Sequence, residues 1–304
     1  MMKKIQQNLF NTWYNSLLTL ISLWLIYWIS SSLISWGFTQ AEWGVLQANL
    51  RLFFLGRYPV DLLWRPWTIL GIIMGLGTLS WRSWLLTGGL FLETVKLDDL
   101  GGLVLTLLTA LVSIVLSFPF GVLLALGRQS NLPVIRWLSI GYIELIRGLP
   151  LIGILFMAQV MVPLVLPPDI RPDRVVRAIC GLTMFSAAYL AENVRGGLQS
   201  IPKGQTEAAK ALGLSTPLVL ALIILPQALK AVIPTIVGQF ISLFKDTSLL
   251  AIVGLVELLG ISQSILANPK FLGRYGEVYL FIALIYWIFC YSMSLASQKF
   301  EQKL

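Results

Sequence analysis

Two acid–base pairs with the same spacing lie inside long apolar stretches of this chain. Glu144 and Arg147 are three residues apart, and Glu192 and Arg195 repeat that spacing, so each pair shares one face of a helix. Charged groups inside apolar helices are costly, and in a membrane-spanning helix they are candidates for function. The alternative is structural: each acid neutralises its neighbour so that the helix can insert. We keep Glu144 and Arg147 as candidates for a substrate path.

A third polar group, Lys245-Asp246-Thr247-Ser248, interrupts another apolar run. Irregular polar backbone at membrane depth is tolerated where it lines a cavity. Together with the Lys245 ammonium, the hydroxyls of Thr247 and Ser248 can bind a carboxylate. Asp246 can bind an ammonium group, so the stretch suits a zwitterion. Because each acid inside an apolar stretch has a cation beside it, neutral or acidic solutes are marginally favoured over cationic ones.

The residue types that the chain lacks exclude several kinds of chemistry. It contains no histidine, which rules out haem ligation by imidazole and the usual zinc and copper sites. It contains no Gly-Lys dipeptide and hence no phosphate-binding P-loop, so any ATP must be hydrolysed by another chain. We therefore predict no catalytic residue, metal or cofactor. The two cysteines, Cys180 and Cys290, lie far apart in apolar segments and are predicted to be packing residues.

The composition indicates an integral membrane protein. Apolar residues make up 57% of the 304-residue chain and charged residues only 12%, against roughly a quarter charged in soluble domains. Residues 17–38, 100–127 and 278–298 carry no charge at all, and about 20 such residues suffice for a helix to cross the hydrocarbon core. The net charge of +8 comes from scattered cations without a basic face, so nucleic-acid binding is rejected.

The uncharged runs predict an all-α protein with six spans. The first carries no cleavage site and is predicted to stay in the protein as an anchor. The segment 66–92 is cut by Trp81-Arg82-Ser83-Trp84, which favours a re-entrant or interfacial hairpin over two thin spans. Residues 41–67 are amphipathic and are predicted to lie along a membrane face. Nine of the cations that flank the spans fall on each side of the membrane, so the excess of cations expected on the cytoplasmic side does not decide the orientation. The predicted spans are approximately 16–36, 103–126, 137–165, 175–198, 229–244 and 278–297.

A polar loop at 200–217 separates two of these spans. Residues 205–212 favour a short helix, and Gly213 can take the left-handed conformation that ends it. Thr216 can then cap the next helix, with Pro217 at its first position. The small side chains of Ala208 and Ala209 are predicted to let a partner's surface approach closely.

The pattern in this loop resembles the EAA loop of the membrane subunits of ABC importers. Glu207-Ala208-Ala209 is followed by Gly213 and by the sequence Ile-Ile-Leu-Pro at 223–226. In order along residues 101–304, four further motifs resemble polar amino acid permeases of the histidine, glutamine and glutamate type. They are Leu-Val-Leu-Thr at 103–106 with Gly-Val-Leu-Leu-Ala-Leu-Gly-Arg at 121–128, Tyr-Ile-Glu-Leu-Ile-Arg-Gly-Leu-Pro at 142–150, Ala-Tyr-Leu-Ala-Glu-Asn-Val-Arg-Gly-Gly at 188–197, and Lys-Asp-Thr-Ser-Leu at 245–249.

The resemblance implies a five-span permease core at 101–304, preceded by an N-terminal extension at 1–100 with one extra span. It implies that Glu207, Ala208, Ala209 and Gly213 form a cytoplasmic coupling helix that docks on an ATPase. It further implies two ATPase subunits, a second permease that is identical or related, and an external amino-acid-binding protein. The C-terminus would be cytoplasmic in a cell inner membrane, and a heterodimer is favoured because the extension matches nothing in the pattern.

Two other functions stay open from the sequence alone. An ion-coupled secondary transporter would show inverted repeats and midplane acids without a docking helix. The repeated Glu-x-x-Arg-Gly is its only support, and both copies lie on consecutive spans. The other alternative is a non-transporting subunit of a membrane complex, against which the loop and the ordered motifs speak.

Overall fold

The described part of the chain is helical. A computed structural model describes residues 12–62, 64–76 and 99–301, and within these ranges pairing of extended backbone is limited to isolated bridges. The helices are α1 (Trp13–Thr39), α2 (Gly44–Leu55), α3 (Trp64–Leu76), α4 (Gly102–Arg128), α5 (Pro133–Gly148), α6 (Leu151–Val165), α7 (Arg174–Ser200), α8 (Lys203–Ala211), α9 (Thr216–Ala251), α10 (Leu258–Leu266) and α11 (Tyr275–Glu301).

Five of these helices are long and apolar enough to cross a membrane. They are α1, α4, α7, α9 and α11, and they confirm five of the six predicted spans. The sixth predicted span, at 137–165, is not one continuous helix, because the chain bends by 104° between α5 and α6. Pro150 pushes the preceding Leu149 into extended backbone, with φ −100° and ψ 142°. Neither half is long enough to cross a membrane alone, so α5 and α6 together form either one broken span or a re-entrant loop.

Proline also shapes the interior of α6 and α9. Each helix contains a π-helical segment, Met157–Met161 in α6 and Leu220–Ile224 in α9. Each segment ends two residues before a proline, Pro163 or Pro226. A proline ring cannot donate a hydrogen bond and crowds the preceding turn. The extra residue in a π turn accommodates both effects, so the helix continues past the proline.

The core is centred on α7, which packs along α4, α9 and α5. Small residues permit the close approach. A Cβ added to Gly121 of α4 would lie 2.4 Å from Leu190 Cδ2, and one added to Gly197 of α7 would lie 2.6 Å from the Ala228 carbonyl oxygen. Glycine at such contacts lets helix backbones approach, which is how membrane helices gain packing energy. Cys180 of α7 is exposed, so the prediction that it is a packing residue is wrong.

The N-terminal helices differ in how they meet this core. In α1 the residues of the apolar span are uncovered, and the contact is made at its end, where Trp36 packs against Gly276. By contrast, α2 buries Val45, Asn49 and Phe53 against the core. Residues 77–98, which carry most of the predicted hairpin, lie outside the described residues. The division at residue 100 stays a prediction.

The bundle has two ends that differ in the elements they hold. The loop end holds α8 and the last turn of α4. The opposite end holds the first turns of α4 and α11, which meet through Phe53 of α2: its carbonyl crowds Gly102 and its ring contacts Phe281 at 5.1 Å.

Candidate functional site

The loop between α7 and α9 forms the predicted short helix, α8. It ends at Gly213, whose φ of +81° lies in the left-handed region. The amides of Gly213 and Leu214 donate to the carbonyls of Lys210 (2.9 Å) and Ala209 (3.2 Å), which is a Schellman ending. The predicted conformation of Gly213 is confirmed. The predicted cap is displaced by one residue, because Ser215 takes the extended cap position and Thr216 is already helical.

The α8 helix presents one side to the bundle and one side outward. Glu207 and Ala208 are exposed, whereas Ala209 is buried in a cluster with Val219 and Ala228 of α9. The expectation that a partner approaches Ala209 is therefore wrong: this alanine lets α8 sit close to its own chain. Leu212, which the sequence analysis did not single out, is 81% exposed beside the turn.

A cluster of charges joins three helices near the loop end. Glu192 of α7 lies 2.7 Å from Arg128 of α4, 2.7 Å from Arg195 and 3.6 Å from Arg147 of α5. Arg128 also pairs with Glu144 of α5 at 3.0 Å. The cluster thus has three cations and two anions, and Glu192 is the group that the arginines share.

This cluster corrects the predicted pairing. Arg147 pairs with Glu192 rather than with Glu144, and its guanidinium lies 5.5 Å from the centre of the Tyr189 ring. The Glu192–Arg195 pair is confirmed. Arg128 was missed because its partners come from other helices. The arrangement favours the structural role for these charges, since it clamps α4, α5 and α7 together.

The polar stretch at the end of α9 is only partly available to a solute. Lys245 is exposed, and Asp246 and Ser248 are half-buried. Thr247 is buried, and its hydroxyl donates to the carbonyl of Phe244 at 2.7 Å. Its predicted role in binding a carboxylate is therefore not supported, because the donor is already used. Among the described residues no ion pair involves Lys245, whose ammonium faces outward from the subunit.

Lys245 belongs to a longer exposed face of α9. Gln227, Ala231, Pro234 and Gly238 recur at helical spacing along the same side and are all exposed. On the other side, Ala228, Ile236 and Leu243 are buried against the bundle. Lys230 is exposed near this face as well. Lipid is a poor solvent for the side chains of Gln227, Lys230 and Lys245, so this side of the helix, the polar face of α9, lines water or meets another protein surface.

The long apolar helices, the short α8 helix between two of them and the uncovered polar face of α9 define a multi-pass membrane transport protein. A family model described as a binding-protein-dependent transport system inner membrane component matches residues 117–304. The chain belongs to this family, and it is a permease subunit of the ABC importer type rather than a catalytic subunit.

Two relatives match almost the whole chain. It is 42% identical to the inner membrane amino-acid ABC transporter permease protein YhdY of Escherichia coli K12, over 98% of this chain and 92% of the relative. It is 35% identical to the glutamate/glutamine/aspartate/asparagine transport system permease protein BztC of Rhodobacter capsulatus, over 99% and 93%.

A solved structure matches a shorter part. A chain in the crystal structure of an amino acid ABC transporter with histidines has a TM-score of 0.60 and 27% identity, covering 75% of this chain and 100% of that chain. The whole of that solved chain therefore corresponds to three quarters of this chain. YhdY and BztC, in contrast, match this chain over nearly its full length.

Proposed function

We propose that the chain forms half of the translocation pore of an ATP-driven amino acid importer. The observation that carries the proposal is the pairing of an outward-facing loop helix with an uncovered polar face on the adjoining span. Glu207, Ala208 and Leu212 offer a docking surface at the loop end. Because α8 packs on α9, movement of α8 is passed directly to the helix that carries Lys245.

In this proposal the loop end is cytoplasmic. The C-terminus then lies in the cytoplasm, because α11 begins at the opposite end of the bundle. The α1 helix ends beside Gly276, at the start of α11, so the start of α1 also lies inside. The outer ends of α4 and α11 face the external binding protein.

The partners follow from the two surfaces. Two ATPase subunits dock on the coupling helices, and a second permease covers the polar face of α9 from the other side of the pore. A related rather than identical permease is favoured, because the N-terminal extension at 1–100 matches nothing in the motifs of the permease core. Closure of the ATPase dimer and binding of the loaded binding protein must favour the same state, or no coupling results.

The substrate is proposed to be a neutral or acidic amino acid. The uncovered face of α9 offers two ammonium groups, Lys230 and Lys245, and Asp246 is its one half-buried acid. An excess of cations along a pore attracts carboxylates and disfavours arginine or lysine as cargo. The name of the relative BztC, which includes glutamate, glutamine, aspartate and asparagine, points the same way.

The first test is purification of the chain from its native membrane in mild detergent, with the co-purifying proteins identified by mass. The expected result is an ATPase with a P-loop together with a second permease. The complex should take up amino acid into proteoliposomes only with ATP. A chain that purifies alone and transports with an ion gradient would establish the secondary-transporter alternative instead. A chain that co-purifies with other proteins but shows no transport would favour the non-transporting alternative.

A further inference from the structure

A fully buried carboxylate lies in the connection between α9 and α10. Glu257 has no exposed surface, and its side chain accepts hydrogen bonds from the amides of Leu259 and Gly260, both at 2.9 Å. The amide of Leu258 donates to the Thr106 hydroxyl of α4 at 3.0 Å. The first three amides of α10 are thus satisfied by two side chains, one of which comes from another span.

The same carboxylate reaches a third element. The hydroxyl of Tyr286 on α11 donates to Glu257 at 3.3 Å. The hydroxyl of Thr106 is shared between the Gly102 carbonyl at 3.2 Å and Glu257 at 3.4 Å. Serine, threonine, aspartate or asparagine would suffice as a cap for α10. A longer acid, buried without a cation, is costly unless several donors converge on it. The arrangement is therefore more than a helix cap, because it joins α4, α10 and α11 through one group.

The backbone on the α9 side of Glu257 is held in the same way. Arg174 of α7 donates to the carbonyl of Gly254 at 2.5 Å, and the amide of Gly102 donates to the carbonyl of Val256 at 2.9 Å. Leu250 and Leu255 are buried in the core cluster that includes Leu105. The turn that follows the polar stretch at 245–248 is thereby fixed on three sides.

We propose that Glu257 is a positioning residue for the substrate path. Its hydrogen bonds to Thr106 and Tyr286 hold the turn after α9 and thereby set the position of Lys245 relative to α4 and α11. The inference rests on the proposed function, since it takes the exposed face of α9 as the path. Loss of the carboxylate loosens this end of α9 and lowers the affinity for substrate, while assembly at the far loop end is left intact.

Burial raises the pKa of the Glu257 carboxyl to about 7, and the hydrogen bonds from Leu259, Gly260, Tyr286 and Thr106 oppose that shift. The carboxyl therefore changes its protonation near neutral pH, and only the ionised form can accept from all four donors. Among the described residues none of the charged side chains on the surrounding elements forms an ion pair with it. These side chains are Arg51 on α2, Arg174 on α7, Lys245 and Asp246 on α9, and Arg274 and Glu277 beside the start of α11.

The test uses the purified complete complex in proteoliposomes, with Glu257→Gln and Tyr286→Phe in separate samples. Losing one hydrogen bond to the carboxylate is expected to raise the KM for uptake of glutamine by about threefold to tenfold, with little change in Vmax. The two substitutions remove the same interaction, so the double variant should be no worse than the more severe single variant, whereas additive effects would show that the two residues act independently. Wild-type KM should rise as the pH falls from about 8 to about 6, and Glu257→Gln should flatten this dependence.

Glu277→Gln is the matched control, because Glu277 is also a buried carboxylate at this end, but it accepts from the backbone amide of Glu42 at 2.9 Å and pairs with Arg274 at 4.0 Å. Glu277→Gln should leave the KM and its pH dependence unchanged. If Glu257→Gln lowers Vmax or thermal stability while the KM and its pH dependence stay as in the wild type, Glu257 is only structural. A wild-type complex without ATP-driven uptake would instead overturn the proposed function itself, before any variant is compared.

Discussion

Replacement of Gly213 tests the docking helix most directly. The residue has a φ of +81° and no atom within 4 Å of an added Cβ, so a substitution meets no steric neighbour and acts through backbone strain alone. A non-glycine residue in the left-handed region costs about 1–2 kcal/mol, and a β-branched residue costs more. Since 1.4 kcal/mol is about a tenfold change in an equilibrium, Gly213→Ala should depopulate the Schellman ending by about fivefold to thirtyfold.

The strain should be graded by residue type. Gly213→Asn should be mild because asparagine tolerates the left-handed conformation, Gly213→Ala intermediate, and Gly213→Val severe. We expect uptake per ATP hydrolysed to fall in the same order in proteoliposomes, and co-purified ATPase to be lost with valine. Gly204→Val is the matched control, since Gly204 lies at the other end of α8 with open space and without a positive φ.

Equal coupling in Gly213→Val and Gly204→Val would refute the reasoning. It would mean that the end of α8 does not transmit the movement of the ATPase to α9. A loss of coupling with asparagine as large as that with valine would point to a requirement for a bare backbone at the partner surface rather than to strain.

Three further predictions concern other sites. Lys245→Ala should lower amino acid uptake without dissociating the complex, whereas Lys245→Arg should retain part of the uptake. Uptake into proteoliposomes and co-purification measure the two effects. Unchanged uptake with alanine would remove Lys245 from the substrate path. Glu192→Ala should lower the free energy of unfolding of the complex by about 1–3 kcal/mol, measured by thermal unfolding, because it leaves three arginines without their shared partner. The Glu144 side chain is 55% exposed, so Glu144→Ala should lower it by less than about 1 kcal/mol. Leu212→Ser should weaken ATPase co-purification without changing the unfolding temperature of the isolated chain, because this leucine is 81% exposed; retention of the ATPase would remove it from the docking surface.

Local patterns in the sequence predicted the local features well. The uncharged runs gave the spans because the hydrocarbon core requires about 20 apolar residues wherever they occur. The position of Gly213 predicted a left-handed helix end because few other residues tolerate that conformation. In both cases the physical cause acts within one turn or one helix, so the neighbouring residues suffice to infer it.

Contacts between distant segments could not be predicted in the same way. Spacing along one helix suggested that Arg147 pairs with Glu144, but α5 packs against both α4 and α7, and Arg147 pairs with Glu192 of α7. Glu257 was missed for the same reason. Its partners Thr106 and Tyr286 lie 151 and 29 residues away, and no local pattern distinguishes it from an acid in an exposed loop.

The two networks together indicate where movement occurs during transport. Near the loop end, Glu192 joins α4, α5 and α7, and at the opposite end, Glu257 joins α4, α10 and α11. Because α4 belongs to both, most of the subunit is held as one body. The long face of α9 from Gln227 to Lys245 is left uncovered, so alternating access should occur between this face and the second permease rather than within the bundle. A disulfide between α4 and α7, placed at either end of α4, should therefore leave uptake intact. A disulfide between α9 and the partner permease should abolish uptake.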